Sequence, residues 1–337
     1  MQIIFIILLF ITIFEITSYT SLPYKKYKKS IFIAIVILLI CIAGWREIGR
    51  DNDSGMYQVF FNEIGEMSYT DILFHYSGRI KEIGYILLNK IFSNLGFRAF
   101  LIFCAVISLS IKSYILYRFT KFPFISIFVY FVLFYYLREL SQIRDAIATS
   151  FILLCLMMYI KKKYFYSFLF FLLGISFHTL TIMCIGIIVF WELYKAKKWL
   201  CYLFLSLIVI LKIYMPNLEY LSEFPLPAQL TVYITEDAFK NFKTGYFLPL
   251  FSLLLLVIFY IIKIKLKKDF LYFISLLTFI SYLYALNNMV LIRIPNILFF
   301  GNIIAIGSTK YMTSSFHWII LIILLIYWIR ISFIYII

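Results

Sequence analysis

The sequence predicts an all-α fold, a polytopic bundle of about twelve transmembrane helices in one integral-membrane domain, residues 1–337. The chain is 64% hydrophobic and 14% charged, whereas a soluble domain is about half apolar and a quarter charged. Its apolar residues come in blocks of about 16–20, the length with which a helix crosses the bilayer. A transmembrane β-barrel would instead alternate apolar and polar residues along each strand.

The basic residues indicate how the helices are oriented. A net charge of +15 would suit a nucleic-acid partner, but the lysines lie in short clusters between apolar blocks, where the positive-inside rule places them. We therefore expect no nucleic-acid partner, and we assign the lysine-rich loops to the inner face. The five cysteines lie in or beside apolar blocks without CxxC spacing, which favours packing roles.

The first apolar block, residues 2–18, is interpreted as a spanning helix whose N terminus lies outside. A cleaved signal peptide would carry positive charge before its apolar stretch, whereas here the first lysines, Lys25 and Lys26, follow it. Two outer loops are predicted, 46–97 and 216–246, and the first contains a short amphipathic helix near 82–95. The predicted spans are 2–18, 31–45, 98–117, 123–137, 143–160, 164–177, 180–194, 199–215, 247–262, 270–286, 290–307 and 315–335.

Residues 46–57 interrupt the apolar pattern. Five ionised side chains fall between Arg46 and Asp53, beside two glycines. In a chain this apolar, such a cluster either lies in water or lines a polar cavity, and we interpret it as the first wall of an active site. The other predicted walls are Glu82, the stretch from Glu139 to Asp145, His178 and Arg293.

The outer and inner basic residues differ in type. The inner loops carry almost entirely lysine, whereas the outer face carries largely arginine. The planar fork of arginine binds phosphate or carboxylate in two places at once, so the arginines predict a phosphorylated or acidic ligand. The outer arginines are Arg46, Arg50, Arg79, Arg98, Arg138, Arg144 and Arg293.

Arg144 lies with Gln142 and Asp145 at the start of a predicted spanning helix. Free backbone N–H groups and the helix dipole favour an anion at this end of a helix. An ionisable group at membrane depth is a functional candidate, and we favour ligand binding for Arg144. The structural alternative is that Arg144 pairs with Asp145 or Glu139 and only caps the bundle.

Two further polar residues stand near predicted outer helix ends. Arg293, two residues before Pro295, either contributes to the ligand site or only snorkels to the membrane interface. His178, at a tight outer turn, is either a hydrogen-bonded structural residue or a group that holds a sugar hydroxyl or relays a proton.

The sequence predicts no metal and no cofactor. Three scattered histidines and the lack of a spaced carboxylate set argue against a catalytic metal, although Asp51 and Asp53 would suit a loosely held divalent ion. The chain has no P-loop, GxGxxG or GxSxG motif, so nucleotide hydrolysis and dinucleotide chemistry are not expected. Any energy for a reaction must then reside in the substrate.

Several short motifs occur in order along most of the chain. They are Arg46 to Tyr57, Glu82-Ile83-Gly84-Tyr85, Ser141-Gln142-Ile143-Arg144, Phe177-His178 and Arg293. Together they resemble the motifs of the EpsG family, relatives of the Wzy-type polymerases of O-antigen, capsule and exopolysaccharide. Ile83 stands where the family usually has proline, and Asp145 stands where it usually has glutamine. Asp53 fits the acidic position of the first motif better than Asp51.

The resemblance implies a membrane glycosyltransferase that joins glycan repeat units carried on undecaprenyl diphosphate. It implies a multi-pass protein of the bacterial cytoplasmic (inner) membrane whose active site faces the outside or periplasm. The implied partners are the undecaprenyl-diphosphate-linked oligosaccharide and membrane lipid, together with flippase and chain-length regulator proteins. Such a donor suits an arginine cavity, and its diphosphate is already an activated leaving group.

These expectations assign roles to the candidate residues. Arginines clamp the diphosphate and stabilise its charge as it leaves, either Glu82 or Asp53 removes the proton from the acceptor hydroxyl, and tyrosines stack on sugar rings. The candidate catalytic residues are Glu82, Asp53, Arg144 and His178, and the candidate substrate-binding residues are Arg46, Arg50, Tyr57, Tyr85, Gln142 and Arg293.

Other functions are compatible with the same architecture. A glycan ligase or another lipid-linked-sugar glycosyltransferase would use a similar donor. A transporter or flippase would carry charged or helix-breaking residues at mid-membrane in paired halves, whereas the ionised groups here gather at one face. A membrane acyltransferase is a further alternative, and His178 is the single residue that supports it.

Overall fold

A computed structural model of the chain describes residues 1–18, 21–49, 51, 53–75, 82–214, 245–266, 269–285, 291–308 and 314–335, and all regular structure within them is helical. This confirms the predicted all-α class. The α-helices are α1 (Gln2–Ser18), α2 (Leu22–Trp45), α3 (Ser54–Glu66), α4 (Ile83–Phe92), α5 (Phe97–Phe119), α6 (Pro123–Tyr130), α7 (Ile143–Ile160), α8 (Tyr164–Phe177), α9 (Met183–Ala196), α10 (Lys198–Tyr214), α11 (Phe247–Leu266), α12 (Asp269–Ala285), α13 (Arg293–Ser308) and α14 (Ser314–Tyr335).

Within the described residues, five helical segments are long and apolar enough to cross a membrane, which supports the predicted membrane class. The other apolar helices have shorter stretches, of 10–17 residues, so the number of about twelve spans stays a prediction. The five segments are Tyr24–Trp45, Phe97–Phe119, Pro123–Ser141, Ile143–Ile160 and Thr179–Ala196.

Two sequence-based boundaries need correction, although predicted spans such as 143–160 coincide with helices. The predicted connection at 138–142 is not a loop, because α6 continues as a π-helix over Phe131–Ser141 (the π segment) and only Gln142 separates it from α7. The outer loop predicted at 46–97 is largely helical, since it contains α3 as well as the expected short helix, α4. The predicted loop 216–246 lies almost wholly outside the described residues.

The chain divides into two compact units. Unit 1 comprises residues 1–184 and 306–337, and in it α2 packs along α5 while α7 packs along α5 and α8. Unit 2 comprises residues 185–305, and in it α12 packs along α11 and contacts α10. The single membrane domain over 1–337 stays a prediction.

A buried acid in unit 1, Glu15, joins α1 to α6. Its carboxylate accepts hydrogen bonds from the backbone N–H groups of Phe124 and Ile125 at 3.4 and 2.9 Å, and from the hydroxyl of Tyr24 at 2.6 Å. Those N–H groups lie in the first turn of α6, where no carbonyl of the same helix reaches them. The carboxylate therefore fixes the start of α6, the end remote from the π segment.

An aromatic core holds α3 and α4 against α5. The ring of Tyr85 stacks on Phe60 with centroids 5.8 Å apart and meets Phe100 edge-on at 5.7 Å. Phe61 lies 5.3 Å from the ring of Phe97. Burial of these rings stabilises α3 and α4 as folded elements, and the candidate site residues lie where these two helices begin.

Candidate active site

Gln142 interrupts the helix between the π segment and α7, and we call this point the break. The candidate residues of unit 1 gather where the start of α3, the start of α4 and the break meet. Ser141, the last residue of the π segment, donates from Oγ to Asp53 Oδ2 at 3.2 Å. Arg144, in the first turn of α7, donates from Nη1 to Glu82 Oε2 at 3.2 Å. These two contacts bring together three stretches that are far apart in sequence.

Arg144 is held by one carboxylate and two aromatic rings. Its guanidinium carbon lies 5.6 Å from the ring centroid of Tyr85 and 5.8 Å from that of Tyr57, distances at which a cation is attracted to a ring. The Arg144 side chain is 22% exposed and the Glu82 side chain 11%. Arg144 Nε is buried and has no hydrogen-bond partner among the described residues. The guanidinium thus keeps an unused donor beside a partly open ion pair.

The ring of Tyr85 packs against the guanidinium of Arg144. The residue is fully buried, and its hydroxyl has no hydrogen-bond partner in the part of the chain that the structure describes. Burial raises the pKa of Tyr85 well above its usual range, so the hydroxyl stays protonated and can donate but cannot act as a base. The Tyr57 ring, also buried, meets Tyr85 edge-on with centroids 6.1 Å apart. Both candidate tyrosines therefore lie under Arg144.

The two aspartates of the first motif have different surroundings. Asp51 Oδ1 accepts from the backbone N–H groups of Asp53 at 3.0 Å and Ser54 at 2.7 Å, which satisfies free donors at the start of α3. Asp53 makes no such side-chain cap, and its carboxylate meets Ser141. Asp51 thus has a structural role at the helix start, while the Asp53 carboxylate points to the break at Gln142.

Arg46, the residue that follows α2, contacts both Asp51 and the π segment. Its Nη1 donates to the carbonyl groups of Ala43 at 2.7 Å and Glu139 at 3.4 Å, and its Nε lies 3.8 Å from Asp51 Oδ2. Nε and Nη2 are buried without a hydrogen-bond partner in the described ranges. Burial lowers the pKa of Arg46, and the Asp51 carboxylate opposes that shift. Arg46 is a second buried cation with unused donors.

Gln142 forms the break itself. Its backbone N–H donates to the Leu137 carbonyl at 3.0 Å, and its carbonyl accepts from the Ala146 N–H at 2.9 Å. The side-chain Oε1 is buried, and no described residue donates a hydrogen bond to it. One residue therefore closes the π segment, opens α7 and carries a buried amide oxygen at this position.

Two outer arginines have structural roles. Arg98 Nη1 donates to the Arg46 carbonyl at 2.5 Å and to the Gly44 carbonyl at 3.3 Å, so it caps the end of α2. Arg138 is buried and forms an ion pair with Asp145. Asp145 therefore pairs with Arg138, whereas Arg144 pairs with Glu82.

His178 caps the turn that follows α8. Its Nδ1 accepts from the Leu180 N–H at 3.1 Å, so in the neutral ring the proton is on Nε2. The preceding residues contact α4, because a Cβ on Gly84 would lie 2.3 Å from Ser176 Oγ and 2.9 Å from the Ser176 carbonyl oxygen. Only glycine permits this approach, which places the end of α8 beside the start of α4.

The remaining outer arginines are Arg50, Arg79 and Arg293. Arg293 begins α13, in unit 2, and Arg50 lies outside the described residues, as does Arg79. The described residues contain no group of three or more metal-binding side chains.

Sequence reasoning overlooked Lys112, which is buried in α5 with its Nζ 2.6 Å from Glu139 Oε1. The signal was present, because Lys112 is a lone charge in the middle of an apolar block. Its partner could not be read from the same block, since Glu139 is 27 residues away.

The model of one protein family, the EpsG family, matches residues 29–337. No curated protein and no solved structure matches the chain at a significant level.

Proposed function

Since the chain belongs to the EpsG family, a family of Wzy-like polysaccharide polymerases, we propose that it polymerises oligosaccharide repeat units carried on undecaprenyl diphosphate. The enzyme is then a membrane glycosyltransferase with a lipid-diphosphate donor, and its site faces the outer side of the bacterial cytoplasmic membrane. Flippase and chain-length regulator proteins are the partners such a polymerase would need.

The observation that carries the proposal is the pair of arginines beside the break at Gln142. Arg46 and Arg144 each keep buried N–H groups that no described residue accepts. A buried donor without an acceptor is costly, so such groups favour a ligand that supplies acceptors. A diphosphate has several anionic oxygens and suits the guanidinium fork, and the family match indicates a glycan substrate.

The Arg144–Glu82 contact suggests how binding and chemistry are linked. Glu82 occupies one donor of Arg144 through one hydrogen bond of 3.2 Å. A diphosphate that binds Arg144 competes with this carboxylate and releases it as a general base. Glu82 is then free only when the donor is present, which limits proton removal to the loaded site.

The reaction balances without a cofactor. The acceptor hydroxyl oxygen attacks the anomeric carbon of the donor sugar, and the bond from that carbon to the diphosphate oxygen breaks. Undecaprenyl diphosphate leaves with its charge stabilised by the arginines. The hydroxyl proton passes to a carboxylate, either Glu82 or Asp53, whose Oδ2 accepts a hydrogen bond from Ser141.

The test is the surface glycan of a deletion strain, separated on a gel. We expect single repeat units in the deletion strain and a full ladder after complementation with the wild-type gene. Arg144→Lys keeps the charge but loses the fork, and we expect about 10–100-fold less polymer. Arg118→Lys, at the exposed end of α5, is the matched control and should restore the ladder.

Two outcomes would contradict the proposal. Long polymer that accumulates unattached in the deletion strain would identify a ligase. A normal ladder from Arg144→Lys would remove Arg144 from the site.

A further inference from the structure

Four charged side chains are buried around the break at Gln142. Lys112, Arg138, Glu139 and Asp145 are each no more than 2% exposed. They form two ion pairs, one between Lys112 Nζ and Glu139 Oε1 at 2.6 Å and one between Arg138 and Asp145. Taking so many charges out of water is strongly unfavourable unless they are paired and hydrogen-bonded, so the arrangement calls for a reason.

The Arg138–Asp145 ion pair crosses the break. Arg138 and Glu139 precede Gln142 in the π segment, whereas Asp145 follows it in α7. Lys112 Nζ makes a second crossing, because it also donates to the Ala146 carbonyl at 3.0 Å. The ammonium of α5 therefore holds one group before the break and one group after it.

The surrounding hydroxyls complete this arrangement. Ser108 Oγ lies 3.0 Å from the Glu139 carboxylate and 3.1 Å from the Ala146 carbonyl, and it accepts from Lys112 Nζ at 2.7 Å. Tyr130 donates its hydroxyl to the same carboxylate. Ser150 Oγ donates to the Ala146 carbonyl at 3.0 Å, so that carbonyl keeps a partner even without Lys112.

Residues on both sides of the break form part of the candidate site. A π-helix is a wide turn that is rare in proteins and often marks a functional site. Ser141, which meets Asp53, and Arg144, which meets Glu82, flank Gln142 on either side. Their relative placement depends on the angle at which α7 leaves the π segment, and that angle is held by the groups that cross the break.

We propose that Lys112 is a positioning residue, whose ammonium sets the geometry of the break and thereby places Ser141, Gln142 and Arg144 against the diphosphate. This inference rests on the proposed function, because a diphosphate is the ligand whose binding Lys112 improves. Stability alone does not account for the charges, since apolar replacement of a buried ion pair is often neutral or stabilising.

The test measures binding and stability of the purified full-length protein in nanodiscs. The probe is farnesyl diphosphate, a short-chain prenyl diphosphate. The variant Lys112→Met with Glu139→Gln removes both charges but keeps an acceptor for Ser108 and Tyr130. We expect its Tm within about 3 °C of wild type and a Kd for farnesyl diphosphate raised about tenfold or more, because a misplaced contact weakens binding strongly.

Two further variants make the result decisive. Lys112→Arg keeps the charge with a longer, planar head group, and we expect weaker binding at unchanged Tm. Glu15→Gln alters another buried carboxylate, which accepts hydrogen bonds from Phe124 and Ile125 at the opposite end of the α6 and π segment, and should leave the Kd unchanged.

The outcomes separate the two ideas. If wild type binds the probe and both Lys112 variants bind within twofold of it, the positioning role is wrong and the proposed function stands. If wild type does not bind farnesyl diphosphate at all, the diphosphate site itself is wrong, and the inference falls with it.

Discussion

Arg144 donates a hydrogen bond to Glu82 at 3.2 Å, although 62 residues separate them. The contact joins the first turn of α7 to the residue before α4. A partly exposed ion pair has two consequences for a ligand that binds its arginine. The ligand must displace the Glu82 carboxylate from Arg144. The displaced carboxylate is then free to act as a general base.

Glu82→Gln tests this exchange. The substitution removes the competing charge, so we expect farnesyl diphosphate to bind about threefold more tightly, the effect of losing a partly exposed ion pair. If Glu82 is the general base, polymer synthesis falls about 100-fold or more. Binding and turnover, measured on the same purified protein, would then change in opposite directions.

The opposite pattern would count against the exchange. Weaker binding by Glu82→Gln would mean that Glu82 only holds Arg144 in place. Tighter binding with unchanged turnover would leave Asp53 as the base.

Asp51 and Asp53 are expected to differ although they are two residues apart. Asp51→Ala removes the acceptor for the Ser54 N–H and should lower the free energy of unfolding by about 1 kcal/mol, the usual effect of a lost helix cap. Asp51→Asn retains an acceptor oxygen and should recover most of it. Thermal unfolding in detergent measures both.

Asp53→Ala should leave Tm unchanged, since Asp53 makes no side-chain cap, and should reduce polymer synthesis. A loss of stability equal to that of Asp51→Ala would show that the two carboxylates share one structural role.

Gly84→Ala tests the contact between α4 and α8. An added Cβ would lie 2.9 Å from the Ser176 carbonyl oxygen as well as 2.3 Å from its Oγ, so backbone must move. We expect a loss of about 1–3 kcal/mol in stability and of polymer, because Glu82 lies two residues before Gly84. Thermal unfolding and the glycan ladder measure the two effects.

Gly55→Ala is the matched control, since it lies in α3 with nothing within 4 Å of an added Cβ. Alanine favours a helix over glycine by about 1 kcal/mol, so Tm should not fall. An equal loss from both substitutions would indicate a backbone requirement in place of a close contact.

The helices were predictable where an apolar block ends at charged residues. Spans 143–160 and 164–177 are separated by Lys161, Lys162 and Lys163, and hydropathy alone locates both ends. Helix α3 was missed because its charged neighbours suggested a loop. Yet Tyr57, Phe60, Phe61 and Ile64 have helical spacing, and all four are buried.

The π segment and the buried pairs could not be predicted in the same way. Phe131–Ser141 is too short for its wider period to be distinguished from that of an α-helix. Arg138 and Glu139 resemble surface residues in the sequence, and only the packing of α5 against α7 shows that both are buried. The motifs identified the candidate residues, whereas the partners of each were set by tertiary contacts.

If Arg46 and Arg144 hold one diphosphate, the Kd for farnesyl diphosphate depends on both guanidinium groups. We expect Arg46→Gln and Arg144→Gln each to bind about tenfold more weakly or worse, the effect of a lost charge-assisted hydrogen bond, while Arg118→Gln binds like wild type. Wild-type affinity in either the Arg46 or the Arg144 variant, with Tm preserved, would show that the two arginines do not share a ligand.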